Sequence, residues 1–134
     1  MRLILLGGGT IARLVLEHLQ RGELELDGVE VVAVVGRSAA SRGAALGREF
    51  QVPFVVGLEA ALEHRPDVVL EAASHAAVQA HLVPMLEVGL SVIVLSAGAL
   101  CDDKLRTEAE SAAARGGGLL YVQPGGIGGL DALK

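Results

Sequence analysis

Apolar positions along the chain fall into two kinds of run that alternate. Short, mostly apolar runs occur at Leu3–Leu6, Val29–Val35, Phe54–Val56, Asp67–Glu71, Ser91–Leu95 and Leu119–Val122. Between the first two, Ile11, Leu14, Val15 and Leu19 recur at helical spacing within Thr10–Leu19. Ala39–Phe50, Leu58–His64, His75–Val88 and Asp102–Arg115 complete the predicted helices. Gly89 stands where a helix commonly stops. Pro84 is the local conflict, because proline inside a helix costs about 3 kcal/mol and marks an expected kink.

Strands that alternate with helices predict βαβ units, and hence a parallel sheet with right-handed crossovers. Parallel strands are buried on both faces and lose the polar alternation of a half-exposed strand. The mean hydropathy of +0.51 fits such a sheet. No linker, repeat or low-complexity tract interrupts the 134 residues, which is the length of one domain. The expected fold class is α/β, a single doubly wound domain on a six-stranded parallel sheet.

Composition narrows the function. The net charge of −5 and the pI near 5.3 oppose a phosphate-neutralising nucleic-acid surface. The three aromatic residues, Phe50, Phe54 and Tyr121, are too few for a base-stacking platform. Cys101 is the single cysteine, so no internal disulfide forms, which fits a reducing compartment. The apolar stretch Leu90–Leu100 falls short of the roughly 20 residues of a membrane helix. Leu3–Leu6 is shorter than the apolar core of a signal peptide. A cytoplasmic protein with no nucleic-acid or membrane partner is expected.

Eighteen glycines make up about 13% of the chain, near twice the usual share of about 7%. Gly7-Gly8-Gly9-Thr10-Ile11-Ala12, between the first strand and first helix, fits G-x-G-x-x-A. Gly7 permits the turn, Gly9 lets a pyrophosphate approach the backbone, and Ala12 lets the helix lie against the strand. The helix N-terminus offers N–H groups and partial positive charge at Thr10 and Ile11. A Rossmann-type dinucleotide site is the reading; a glycine turn serving packing alone is the alternative.

The end of the second strand discriminates among cofactors. Gly36-Arg37-Ser38 carries no acid for the ribose hydroxyls that an NAD site commonly binds. Arg37 could pair with a 2′-phosphate and lie over an adenine, with Ser38 adding a hydroxyl, or Arg37 is merely solvated. NADP is therefore expected over strict NAD, with dual use open. Ligands of such sheets lie beyond the C-terminal strand ends, where Ala72-Ala73-Ser74-His75, Ser96-Ala97-Gly98 and Gly125 are found. Ser74 suits helix capping and ligand contact equally, and Asp102 suits capping. Among the histidines only His75 stands at this edge; His18, His64 and His81 are expected to be surface or structural. No metal-ligand spacing and no catalytic triad stands out, so neither metal nor catalytic residue is assigned.

Glu71-Ala72-Ala73-Ser74, Val94-Leu95-Ser96-Ala97-Gly98-Ala99-Leu100 and Gly125-Gly126-Ile127-Gly128-Gly129-Leu130-Asp131-Ala132-Leu133 follow one another in an order that resembles the N-terminal half of L-aspartate dehydrogenases. The likeness spans the chain, and its last motif is the most specific. Homoserine dehydrogenases share this kind of cofactor domain without that ending. The resemblance implies NAD(P)-dependent oxidation of L-aspartate to iminoaspartate, linked to NAD biosynthesis. It departs at Pro124-Gly125-Gly126, where the family often has Ser-Gly-Ala. It also implies that 1–124 is the cofactor domain and that 125–134 begins the connection to a second domain. That domain, absent from this chain, would supply the catalytic histidine and substrate pocket. The chain alone is then expected to bind cofactor without turnover, its apolar surface suiting another domain or a second copy. A free-standing redox-sensing module and a homoserine dehydrogenase-like enzyme are the alternatives.

Overall fold

A computed structural model describes residues 1–23 and 28–123. Strands and helices alternate as β1 (Arg2–Leu6), α1 (Thr10–Gln20), β2 (Glu30–Gly36), α2 (Arg42–Phe50), β3 (Phe54–Val56) and α3 (Leu58–Leu62). The second half continues with β4 (Val68–Glu71), α4 (His75–Glu87), β5 (Ser91–Val94), α5 (Asp103–Gly116) and β6 (Leu120–Val122). The strands form one parallel sheet in the order β3-β2-β1-β4-β5-β6. The order reverses between β1 and β4, so loops on either side of that point diverge and leave a crevice.

Side-chain alternation divides the core between the two faces of the sheet. Leu3 and Leu5 point towards Ala12 and Leu16 of α1 and Leu46 of α2. Ile4 and Leu6 point the other way, into Ala61 of α3, Val78, Leu82, Met85 and Leu86 of α4, and Leu105, Ala109 and Ala112 of α5. Leu5, Val34, Val92 and Val94 are fully buried. A side chain of that size contributes about 1.5–3 kcal/mol on leaving water. Burial of the central strands on both faces is the physical origin of their nearly unbroken apolar runs.

Two local features depart from the sequence pattern, and a third, the helix through Pro84, follows it. Helix α2 begins at Arg42, because Arg37–Ala40 is an exposed turn in which the Ser41 N–H donates to the Ser38 carbonyl. A 3₁₀ turn, Ala97–Cys101, precedes α5. Helix α4 runs through Pro84. The carbonyl that loses its helical partner there belongs to Ala80, an exposed residue. The other punctuation follows chemistry. Gly89 (φ +86) ends α4 with N–H bonds from Gly89 to Leu86 and from Leu90 to Met85, a Schellman closure. Asp102 caps α5 by accepting from the Lys104 and Leu105 N–H groups.

Candidate functional site

The crevice begins at the turn between β1 and α1. Gly7 is in the left-handed region (φ +115), and a Cβ there would lie 2.7 Å from the Ala72 carbonyl oxygen. A Cβ on Gly8 would overlap the backbone nitrogen of Gly43 in α2. The fold itself therefore demands glycine at both positions. Gly9 differs. Its φ of −85 suits any residue, and a Cβ would meet nothing closer than the Ala72 oxygen at 4.0 Å. Space is kept clear above the start of α1, a helix with no side-chain cap and no acid in its first turn. Its free N–H groups and partial positive charge suit an anion. Ala12 is fully buried beneath, while Thr10 and Ile11 are exposed on the first turn.

At the end of β2, a side chain on Gly36 would force its neighbours to move. A Cβ would overlap the Ser41 hydroxyl oxygen and lie 2.8 Å from the Phe54 ring. An acid at this position, common in NAD sites for binding the ribose, would need the Ser41 and Phe54 side chains to shift. Arg37, Ser41 and Arg42 line the crevice here, and Ser38 stays outside the lining in the exposed turn. The Ser41 Oγ is buried with no hydrogen-bond partner among the described residues. A buried hydroxyl without a partner costs free energy that a ligand acceptor would recover.

Beyond the switch point, Glu71 ends β4 with its side chain fully buried. Its Oε1 accepts from the N–H groups of Ala73 (2.8 Å) and Ser74 (3.0 Å) and from the Ser96 hydroxyl (2.9 Å). Its Oε2 accepts from the Ser96 N–H (2.9 Å). Ala72, Ala73 and Ser74 line the crevice, and the Ser74 hydroxyl also caps α4 by accepting from Ala77 N–H. His75 is exposed, with its ring against Gly98, where a Cβ would lie 2.7 Å from Cε1. Ser96 and Gly98 make these contacts, and neither they nor Ala97 between them line the crevice. Gly125 lies outside the described residues.

The crevice has a volume of about 840 Å³ and runs from Arg37 and Arg42 across the glycine turn to Ala72–Ser74. Its lining among the described residues holds two arginines and no acid, although the chain carries a net charge of −5. His81, half-buried on α4, also faces it, beside Ala77 and Ala80. Spacing places His81 one turn beyond Ala77 on the same helix face, a signal available once Ala77 is assigned to the crevice. Glu71 was signalled by an acid closing an otherwise apolar run. Ser41 and Arg42 had no comparable signal, since their approach depends on the tight packing of α2 against Gly8 and Gly36. No group of His, Cys, Asp or Glu among the described residues is arranged to hold a metal. No helix among them is long and apolar enough to cross a membrane.

A parallel sheet reversing at β1/β4, a cleared glycine turn over an uncapped helix and a cationic crevice define a dinucleotide-binding Rossmann domain. Comparison with known proteins specifies it. Residues 7–123 match the family model described as the homoserine dehydrogenase NAD-binding domain, and the chain belongs to that family. It is 36% identical over 135 aligned residues to the L-aspartate dehydrogenase of Pseudomonas aeruginosa, covering 100% of this chain and 49% of that protein. It is 40% identical to the L-aspartate dehydrogenase of Ruegeria pomeroyi, over 99% of this chain and 45% of that one. The crystal structure of aspartate dehydrogenase from Thermotoga maritima shares the fold with a TM-score of 0.70 at 23% identity, over 99% of this chain and 49% of that chain. The chain spans about half the length of these relatives.

Proposed function

We propose that this chain is the cofactor-binding half of an NAD(P)-dependent L-aspartate dehydrogenase working in the cytoplasm. The reaction removes a hydride from Cα and a proton from the amine of L-aspartate, giving iminoaspartate, NAD(P)H and a proton. The bound dinucleotide supplies the hydride acceptor. The observation that carries the reading is the space kept free above Gly9, at an uncapped helix start on the switch point.

Each part of the crevice has a role in this reading. The α1 N-terminus from Gly9 to Ala12 holds the pyrophosphate. Arg37, Arg42 and Ser41 hold a 2′-phosphate, so NADP is preferred; Gly36 leaves out the acid that would favour NAD. Ala72–His75, with Ser96–Gly98 behind, supports the nicotinamide half. Residues 1–124 form the cofactor domain, and 125–134 with Gly125 begin the connection to a substrate domain. In this reading that second domain brings the proton acceptor and the contacts to aspartate, the chain spanning about half the length of its relatives.

The test mixes the chain with NADP⁺ and L-aspartate and follows reduced nicotinamide by absorbance. Binding of NADP⁺ without reduction is expected. Reduction of NADP⁺ by this chain alone contradicts the division of labour, and no binding of either dinucleotide contradicts the cofactor role.

A further inference from the structure

Glu71 is the one buried charged residue among those described. Its neighbours in register at the same level of the sheet are apolar, Leu6 on β1 and Val94 on β5. The sheet therefore does not require a charge there, and burying one is costly unless it is fully bonded. No lysine or arginine pairs with it among the described residues. The charge is met instead by the N–H groups of Ala73, Ser74 and Ser96 and by the Ser96 hydroxyl. These donors come from two loops on two different strands. The carboxylate is the clip that holds the loops after β4 and β5 together.

We propose that Glu71 is a positioning residue for the nicotinamide half of the cofactor, acting through the backbone of Ala73, Ser74 and Ser96. The inference rests on the dinucleotide reading above. Ala73 and Ser74 line the crevice on the β4 side of the switch point. Ser96 lies on the β5 side of the switch point, away from the β2 end where Arg37, Ser41 and Arg42 gather. The clip thus governs one half of the ligand and leaves the adenosine half to residues it does not touch.

The discriminating experiment titrates the whole chain with two ligands, NADP⁺ and its adenosine half, 2′,5′-ADP. Glu71→Gln keeps the shape but turns one acceptor into a donor facing N–H groups. It is expected to weaken NADP⁺ about tenfold or more while moving 2′,5′-ADP less than about twofold. Ser96→Ala removes a single bond to the carboxylate and serves if Glu71→Gln fails to fold; it is expected to weaken NADP⁺ about threefold and spare 2′,5′-ADP. Equal losses for the two ligands, or no loss for either, overturn the positioning role. Wild-type chain that binds neither ligand overturns the cofactor reading and the positioning role with it.

Discussion

A methyl group added at Gly9 meets open space, whereas one added at Gly8 meets the backbone of Gly43. The two substitutions should therefore separate binding from folding. Gly9→Ala is expected to change stability by less than about 1 kcal/mol yet weaken dinucleotide binding at least about tenfold. Gly8→Ala is expected to cost about 1–3 kcal/mol in denaturant unfolding, since α2 must move away. Gly36→Asp, the obvious change to favour NAD, should destabilise the chain before it alters selectivity, because Ser41 and Phe54 occupy the space; urea midpoints beside NAD⁺ and NADP⁺ titrations check this. Ser41→Ala should leave stability unchanged or raised, its hydroxyl having no partner among the described residues, while weakening NADP⁺ more than NAD⁺. The sequence made the glycine motif legible because its spacing is set by one local turn. It pointed to Ser38; that Ser41 and not Ser38 lines the crevice depends on how closely α2 approaches, which no local pattern encodes.

Helices α1 and α2 are joined by Arg13, whose guanidinium donates to both Glu49 oxygens at 2.6 Å and lies 5.8 Å from the Phe50 ring centroid. The hydrogen bonds and the nearby charge hold the Glu49 carboxyl below its ordinary range and raise Arg13 further. A carboxyl lowered on folding stabilises the protein above its unfolded pKa, and that contribution disappears as pH falls through the folded value. The melting temperature of Glu49→Gln is thus expected to lie slightly below wild type at neutral pH and to converge with it in acid. The pair is exposed, so the difference is small and shrinks with added salt. Pro84→Ala should restore the bond to the Ala80 carbonyl and raise stability by about 1–3 kcal/mol, read from urea midpoints. The helix periodicity carried α4 past its proline because four buried residues, Val78, Leu82, Met85 and Leu86, hold it to the sheet. The 3₁₀ turn at Ala97–Cys101 had no such period to announce it.

Across the whole molecule, six apolar runs were enough to define the sheet, since each central strand is buried on both faces and its composition shows it. The alternation of strands and helices implied a parallel sheet with right-handed crossovers and the glycine turn marked its binding edge, while the strand order is read from the structure. What the linear pattern concealed were contacts between loops from different strands, above all Glu71 with Ser96, twenty-five residues apart. Charge shows the same division of scales, with a net −5 for the chain beside a crevice lined by Arg37 and Arg42. A dinucleotide bound there stabilises the fold by mass action, about 2.7 kcal/mol at a hundredfold excess over its Kd. The most direct measurement is a calorimetric titration of wild-type chain and Gly9→Ala with NADP⁺ and NAD⁺ at one ionic strength. One site, tighter for NADP⁺ and weakened in a Gly9→Ala chain that remains folded, is the expected result. A folded wild-type chain that binds neither dinucleotide, or a Gly9→Ala chain that binds both as well as wild type, would contradict it.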